Sequence, residues 1–207
     1  MEPTIRGFFP CPVYSVRRNS NLDSTENKEI EDIIADSTEK GLGKFTSIDS
    51  YIFDTKLKKI KEFCEEHIKN YVKELLKPTN ELNFYITQSW INLIKPGSSH
   101  HPHYHPNSIL SGVFYIQSVE NDLILFRDPN EQLKKRMDLG NISENNLYNS
   151  SVGAASVAKN ELVIFPSWLE HSVPINKNAT TDRISLAFNT FATGIFGTKK
   201  SFHELIL

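Results

Sequence analysis

Long apolar runs are missing from this chain of 207 residues, and so is an excess of charge of either sign. No stretch approaches the roughly 20 apolar residues that a membrane-spanning helix needs. The 23 basic and 25 acidic residues leave a net charge of -2, so electrostatics gives no reason to expect nucleic acid or an anionic membrane surface as a partner. Cysteine is scarce. Cys11 sits in a Pro-Cys-Pro turn and Cys64 on the apolar face of a predicted helix, so no disulfide framework is indicated and both are expected to be reduced. The opening MEPTIRGFFPCPVYSV lacks the basic start and long apolar stretch of a signal peptide, which predicts a cytoplasmic protein. What remains is a 39% hydrophobic chain, long enough to bury a sizeable core as one domain.

The pattern along the chain divides near residue 80. Before it, a strand is predicted over Phe8 to Val16, with Pro10 and Pro12 confining it to an edge. Ile30, Ile33 and Ile34 predict a short amphipathic helix between Ser24 and Lys40, ahead of the Gly-Leu-Gly turn at 41–43. A longer helix is predicted from Thr55 to Leu76, with Leu57, Ile60, Cys64, Ile68, Tyr71 and Leu75 on one stripe, Asp54 as N-cap and Pro78 beyond its end. After Leu82 the period becomes two. NFYITQSWINLIK, ILSGVFYIQS, DLILF, ELVIFP, HSVPI and RISLAFNTF read as six strands without intervening helices, which implies a sandwich or jelly-roll barrel with helices packed outside. The polar stretch from Arg127 to Val157 reads as a long loop, a candidate lid that would carry substrate specificity.

Histidine is where the chemistry concentrates. HHPHYHP places four of the seven histidines between His100 and His105, and a fifth, His171, follows the strand ELVIFP and the turn SWLE. Alternation in an extended segment lets His103 and His105 face one ion while Tyr104 points away, and His171 is the natural third ligand. Three protein ligands leave open positions, as catalytic rather than structural metal sites do. His100 and His101 read as solvated loop residues. Arg183 and Ser185 alternate on RISLAF, so a guanidinium fork and a hydroxyl share a face that suits a small dianion, and Tyr115 could add its phenol.

These segments resemble the 2OG-Fe(II) oxygenases, the non-haem iron, 2-oxoglutarate-dependent dioxygenases, and within them a family found in marine bacteria and phages. The resemblance rests on HxHPNSxLSGVxY at His103 to Tyr115, FPSWLxH at Phe165 to His171 and RxSxxFN at Arg183 to Asn189. It implies a mainly β, α+β fold: a double-stranded β-helix (jelly-roll, cupin-like) barrel with packed N-terminal helices. The domain would span 1–207, with 1–80 supplying the N-terminal strand and supporting helices and 81–207 the jelly-roll core. It further implies Fe(II) as metal, 2-oxoglutarate as co-substrate, His171 as distal ligand, Arg183 and Ser185 as the clamp on the co-substrate C5 carboxylate and Tyr115 as a further contact. The family's acid is absent. Aligned on His103 its position is His105, and aligned on His105 it is Asn107; the parallel with the PHYD spacing of prolyl hydroxylases favours His103 and His105, with Asn107 or Asp128 as the lesser alternatives. Asp128 and Glu170 are the candidate carboxylates for orienting a ligand imidazole.

The expected activity is hydroxylation of a small-molecule or peptide substrate by dioxygen, with succinate and CO2 formed, in the cytoplasm (of the host, if phage-encoded). His103, His105, His171 and Arg183 would carry it. A three-histidine cupin-like dioxygenase without 2-oxoglutarate, and a metal-binding barrel without catalysis, stand as alternatives. Neither nucleic acid nor membrane is an expected partner, and a homodimer through edge strands is left open.

Overall fold

The computed structural model describes residues 4, 7, 10–131, 140 and 142–207. The chain forms β1 (Tyr14–Arg17), α1 (Ser24–Ala35), β2 (Ser37–Glu39), β3 (Lys44–Ser47), α2 (Ile52–Thr55), α3 (Lys58–Tyr71), β4 (Leu82–Ile94), β5 (His100–His103), β6 (Leu110–Gln117), β7 (Leu123–Arg127), β8 (Val152–Ser156), β9 (Glu161–Pro166), β10 (His171–Val173), β11 (Arg183–Phe196) and β12 (Leu205–Ile206). An eight-stranded sheet runs β1-β9-β6-β11-β4-β3-β2, with β12 added on β11, and a four-stranded sheet runs β5-β10-β7-β8. All ladders between these strands are antiparallel. This is a double-stranded β-helix whose two sheets face one another and are not closed into a barrel. No helix among the described residues is long and apolar enough to cross a membrane.

The large sheet is buried on both faces, and period-two alternation sorts its side chains between them. One face carries Ile91 of β4, Leu110, Phe114 and Ile116 of β6, Leu162 and Ile164 of β9, and Leu186 and Phe188 of β11. These pack under the helices against Ile30, Ile33, Ile60, Cys64 and Ile68. The intervening residues, Tyr115 of β6 and Val163 and Phe165 of β9, turn to the small sheet and meet Ile124 and Phe126 of β7. The positions between those of β11, Arg183, Ser185 and Ala187, line a cavity between the sheets.

Several expectations are corrected. The first strand is only Tyr14–Arg17, on the sheet edge as Pro10 and Pro12 require, while the expected start at Phe8 lies outside the described residues. The helix expected to reach Lys40 stops at Ala35, and Ser37–Glu39 form a hairpin with β3 around the Gly-Leu-Gly turn. Its start is set by a reciprocal capping box between Asp23 and Glu26. The second helix is interrupted. Asp54 is not its N-cap but lies within α2, and the chain then turns at Leu57, whose φ of 56° is left-handed, before α3 begins. Leu57 is held there by full burial and by its N–H, which donates to Glu29 Oε2 at 2.7 Å. Leu75, assigned to the apolar stripe, is 45% exposed because a π-helical turn over Val72–Leu76 rotates it out of phase. In the polar segment 127–157, Val152–Ser156 form β8 on β7 rather than loop, and residues 132–139 and 141 lie outside the described residues.

Gly112 shows how tightly the layers meet. It lies opposite Phe188 in the β6–β11 ladder, and a Cβ there would sit 2.1 Å from the Phe188 ring. Gly112→Ala should therefore lower the unfolding free energy by about 1–3 kcal/mol, the usual cost of overpacking, measured by urea denaturation.

Candidate active site

His103 and His171 face one another directly in the β5–β10 ladder, and their ring centroids lie 4.3 Å apart. His105 lies two residues past β5, in a turn fixed by its own backbone: its N–H donates to the Ser167 carbonyl at 3.0 Å. That puts the His105 ring 5.0 Å from His103 and 5.2 Å from His171. One ring nitrogen from each histidine falls within 4.8 Å of the others. Tyr104 between them is exposed, as alternation predicts. His103 Nδ1 pairs with the His101 carbonyl at 2.9 Å and His171 Nδ1 with the Leu169 carbonyl at 3.0 Å. A carbonyl can only accept, so each Nδ1 carries the proton and each Nε2 keeps its lone pair free. Backbone carbonyls thus orient these rings. The carboxylates expected in that role do other work: Glu170 pairs with Arg127 at 2.6 Å, and Asp128 accepts from the Asn130 N–H in a turn.

Burial, and next to it the charge that His103 would carry, pushes His105 down to about 4 and His171 down to about 3; burial likewise lowers His103. All three are neutral near pH 7, the form that binds a metal. Asn107, by contrast, is exposed with a left-handed φ of 56° and does not line the cavity, and Asp128 is no member of the histidine cluster.

The cavity holds about 240 Å³ and has a second polar end. Ser185 lies opposite Tyr115 across the β6–β11 ladder. Arg183 is 5% exposed and its guanidinium carbon lies 4.9 Å from the Tyr115 ring centroid. Its Nε donates to both oxygens of Asp122, at 2.9 and 3.0 Å, and one η nitrogen reaches Ser185 Oγ at 3.4 Å. Asp122, itself buried, was not singled out in the sequence; it sits in a turn before β7 and only the fold brings it under the arginine. The Tyr115 hydroxyl is buried, and among the described residues no group accepts its proton. Burial raises it to about 12, against the opposing pull of the Arg183 charge, so it is a donor awaiting an acceptor. His100, expected in solvent, instead lines the cavity, while His101 is exposed.

A buried hydroxyl network, also unassigned from sequence, joins the three motif segments. Ser167 Oγ bonds Ser108 Oγ at 2.7 Å and Ser111 Oγ at 2.8 Å, and Ser111 donates to Asn189 Oδ1 at 2.9 Å. The main chain reinforces it, with the Ser167 N–H on the Ile109 carbonyl at 3.0 Å. Polar residues recurring inside otherwise apolar strand motifs were the available signal.

Residues 88–189 match the family model described as "Putative 2OG-Fe(II) oxygenase". The chain thus carries, over just under half of its length, a segment similar to this 2OG-Fe(II) oxygenase family, and that segment holds His103, Tyr115, His171, Arg183 and Ser185. It is accordingly an oxygenase of the class that uses Fe(II) and 2-oxoglutarate. Solved structures of similar fold include the carbocyclase SnoK of nogalamycin biosynthesis (14% identity, 93% of this chain and 85% of that one, TM-score 0.59). HygX from Streptomyces hygroscopicus, with nickel, 2-oxoglutarate and hygromycin B bound, is 11% identical (87% and 82%, TM-score 0.54). A Pseudomonas putida prolyl-4-hydroxylase is 15% identical (86% and 92%, TM-score 0.54). No curated protein sequence matches this oxygenase.

Because the imidazoles are depressed in the folded metal-free protein, the unfolded chain, with histidines near 6.5, binds protons that the folded state refuses. Stability of the metal-free oxygenase should therefore fall as pH drops from 7 to 5, and His105→Gln should flatten that slope in thermal melts. In Ser167→Ala, the buried Ser111 hydroxyl and the partly buried Ser108 hydroxyl lose their shared partner, and urea denaturation should report a loss of about 1–3 kcal/mol.

Proposed function

We propose that this oxygenase hydroxylates a small-molecule or peptide substrate with dioxygen, releasing succinate and CO2, and that residues 1–207 form one oxygenase domain. The observation that carries the reading is the two-ended cavity: three neutral imidazoles converge at one end, and an arginine fork stands beside an unpartnered buried phenol at the other. His103, His105 and His171 hold the metal. Borderline nitrogen donors in this number suit a first-row divalent ion with positions left open. Arg183, Ser185 and Tyr115 take the distal carboxylate of 2-oxoglutarate. Two free cysteines, one of them buried in the core, suit a reducing compartment such as the cytoplasm.

Bound Fe(II) supplies activation of dioxygen coupled to decarboxylation of the co-substrate. The chain supplies the rest. Asp122 fixes Arg183 through Nε, so the η nitrogens stay aimed into the cavity without the fork having to reorganise when the carboxylate arrives. Tyr115 Oη donates the proton that no protein group accepts. Val113, Ile124 and Phe165 line the space between the two ends and keep water from it.

The all-histidine donor set favours one second reading, a three-histidine dioxygenase that binds its substrate on the metal and leaves the distal clamp idle. Tyr115→Phe separates the two. Anaerobic titration of the Fe(II)-loaded protein with 2-oxoglutarate should develop a weak visible charge-transfer band, and the variant should need about ten-fold more co-substrate, since a hydrogen bond to a charged group contributes about 1.5–3 kcal/mol. The metal-free variant should be about as stable as wild type, because among the described residues no group accepts the phenol proton. Iron binding without any band would favour the second reading.

A further inference from the structure

The cavity wall on the β3 side carries a charge that neither the metal nor the co-substrate accounts for. Lys44, Ile94 and Arg183 lie directly opposite one another across β3, β4 and β11, so all three face the cavity from one row. With strands about 4.8 Å apart, the Lys44 backbone stands roughly 10 Å from that of Arg183 across the sheet. The next row is Thr46, Asn92, Ser185 and Tyr115. Lys44 is only half-exposed and makes no ion pair among the described residues. Among the described residues the one polar contact of its ammonium is with His100 Nε2. His100 Nδ1 is paired with a carbonyl at 3.2 Å, so Nε2 is an acceptor and takes one of the three ammonium protons. Beside it Thr46 Oγ1 donates to Asn92 Oδ1 at 3.0 Å, leaving the Asn92 amide N–H groups as further donors on the same wall.

Charge balance gives this wall its meaning. The described lining residues include Lys44 and Arg183 as cations and no carboxylate. Arg183 is matched by Asp122 beneath it, and the two carboxylates of 2-oxoglutarate match a divalent metal held by three neutral ligands. Lys44 is the one charge left over. A half-buried ammonium facing other positive centres is favourable only with an anion to meet it.

Resting on the proposed Fe(II) and 2-oxoglutarate site, we propose that Lys44, with Asn92 beside it, is the substrate-specificity element, and that the substrate presents a carboxylate to it. A single ammonium suits a monoanion; the paired cations that a phosphate dianion favours are absent from this wall. His100 holds Lys44 in place from the facing sheet, since β3 and β5 belong to different sheets. The anchored carboxylate would orient the rest of the substrate along Trp90, which lines the cavity and stands 5.7 Å from the His105 ring.

The test uses the Fe(II)-loaded protein saturated with 2-oxoglutarate under anaerobic conditions, so that the Arg183 clamp is filled. Pentanoate and its uncharged counterpart pentanamide are titrated in, with perturbation of the charge-transfer band and calorimetry as readouts. Pentanoate should bind at least five-fold more tightly than pentanamide. Lys44→Met, which keeps the apolar stem, should abolish that preference while leaving 2-oxoglutarate affinity within two-fold of wild type, and Lys44→Arg should retain it. Equal binding of acid and amide by wild type, or an unchanged preference in Lys44→Met, would overturn the proposal. A loss of 2-oxoglutarate affinity in Lys44→Met as large as in Tyr115→Phe would also overturn it, by assigning the lysine to the co-substrate. Absence of any 2-oxoglutarate band in wild type is the separate result that would remove the underlying reading.

Discussion

Burial of both faces of the large sheet is the constraint on which everything else rests, because it leaves each strand residue only two directions and gives them opposite chemistry. On β11 the residues Leu186 and Phe188 must meet the helices, and their burial forces Arg183 and Ser185 to the other side. A one-residue slip would drive a guanidinium into the helix layer and a phenylalanine into the cavity. Register is therefore specified by a penalty on both faces at once. The close seat of Phe188 on Gly112 fixes the neighbouring strand in the same register, and with it Tyr115 opposite Ser185.

The histidines are placed by a second, local set of constraints. Cross-strand pairing alone aligns His103 with His171, whereas His105 has left the strand and depends on the turn that Ser167 ties down. The hydroxyl network of Ser108, Ser111, Ser167 and Asn189 links that turn to β6 and β11. The network thus ties β11, which carries Arg183 and Ser185, to the turn that positions His105. Such networks are stiff because leaving a buried hydroxyl without a partner is costly.

Charge distribution completes the description. Three neutral imidazoles would give a metal no anion, so negative charge at such a centre would have to come with its other ligands. Asp122 balances the Arg183 charge through Nε and leaves the η nitrogens available to donate. Removing either member would strand a buried charge, which is why the phenol of Tyr115 is the cleaner probe of the clamp. The same accounting isolates Lys44 at the far wall.

Much of the site was legible in the sequence because its residues are spaced by strand alternation: His103, His105, Arg183 and Ser185 come as pairs two apart, and Tyr115 sits at an inward position of an apolar strand. The period-two strands after Leu82 and the amphipathic stripe through Ile60, Cys64 and Ile68 were likewise local patterns. The break at Leu57 was hidden, since it depends on Glu29 from α1 and on burial rather than on a glycine or proline. The strand Val152–Ser156 was hidden too, because a weakly apolar edge segment is stabilised by its partner β7 and not by its own composition. The serine network left only the faint signal of polar residues inside apolar strand motifs, and Asp122, Lys44 and His100 could not be assigned, because their roles depend on groups distant along the chain. The sequence by itself determined the fold class, the histidines as candidate ligands and the resemblance to a family. The tertiary structure decided which distant groups meet them, because alternation sets only the face a side chain takes, while pairing across sheets sets its partner.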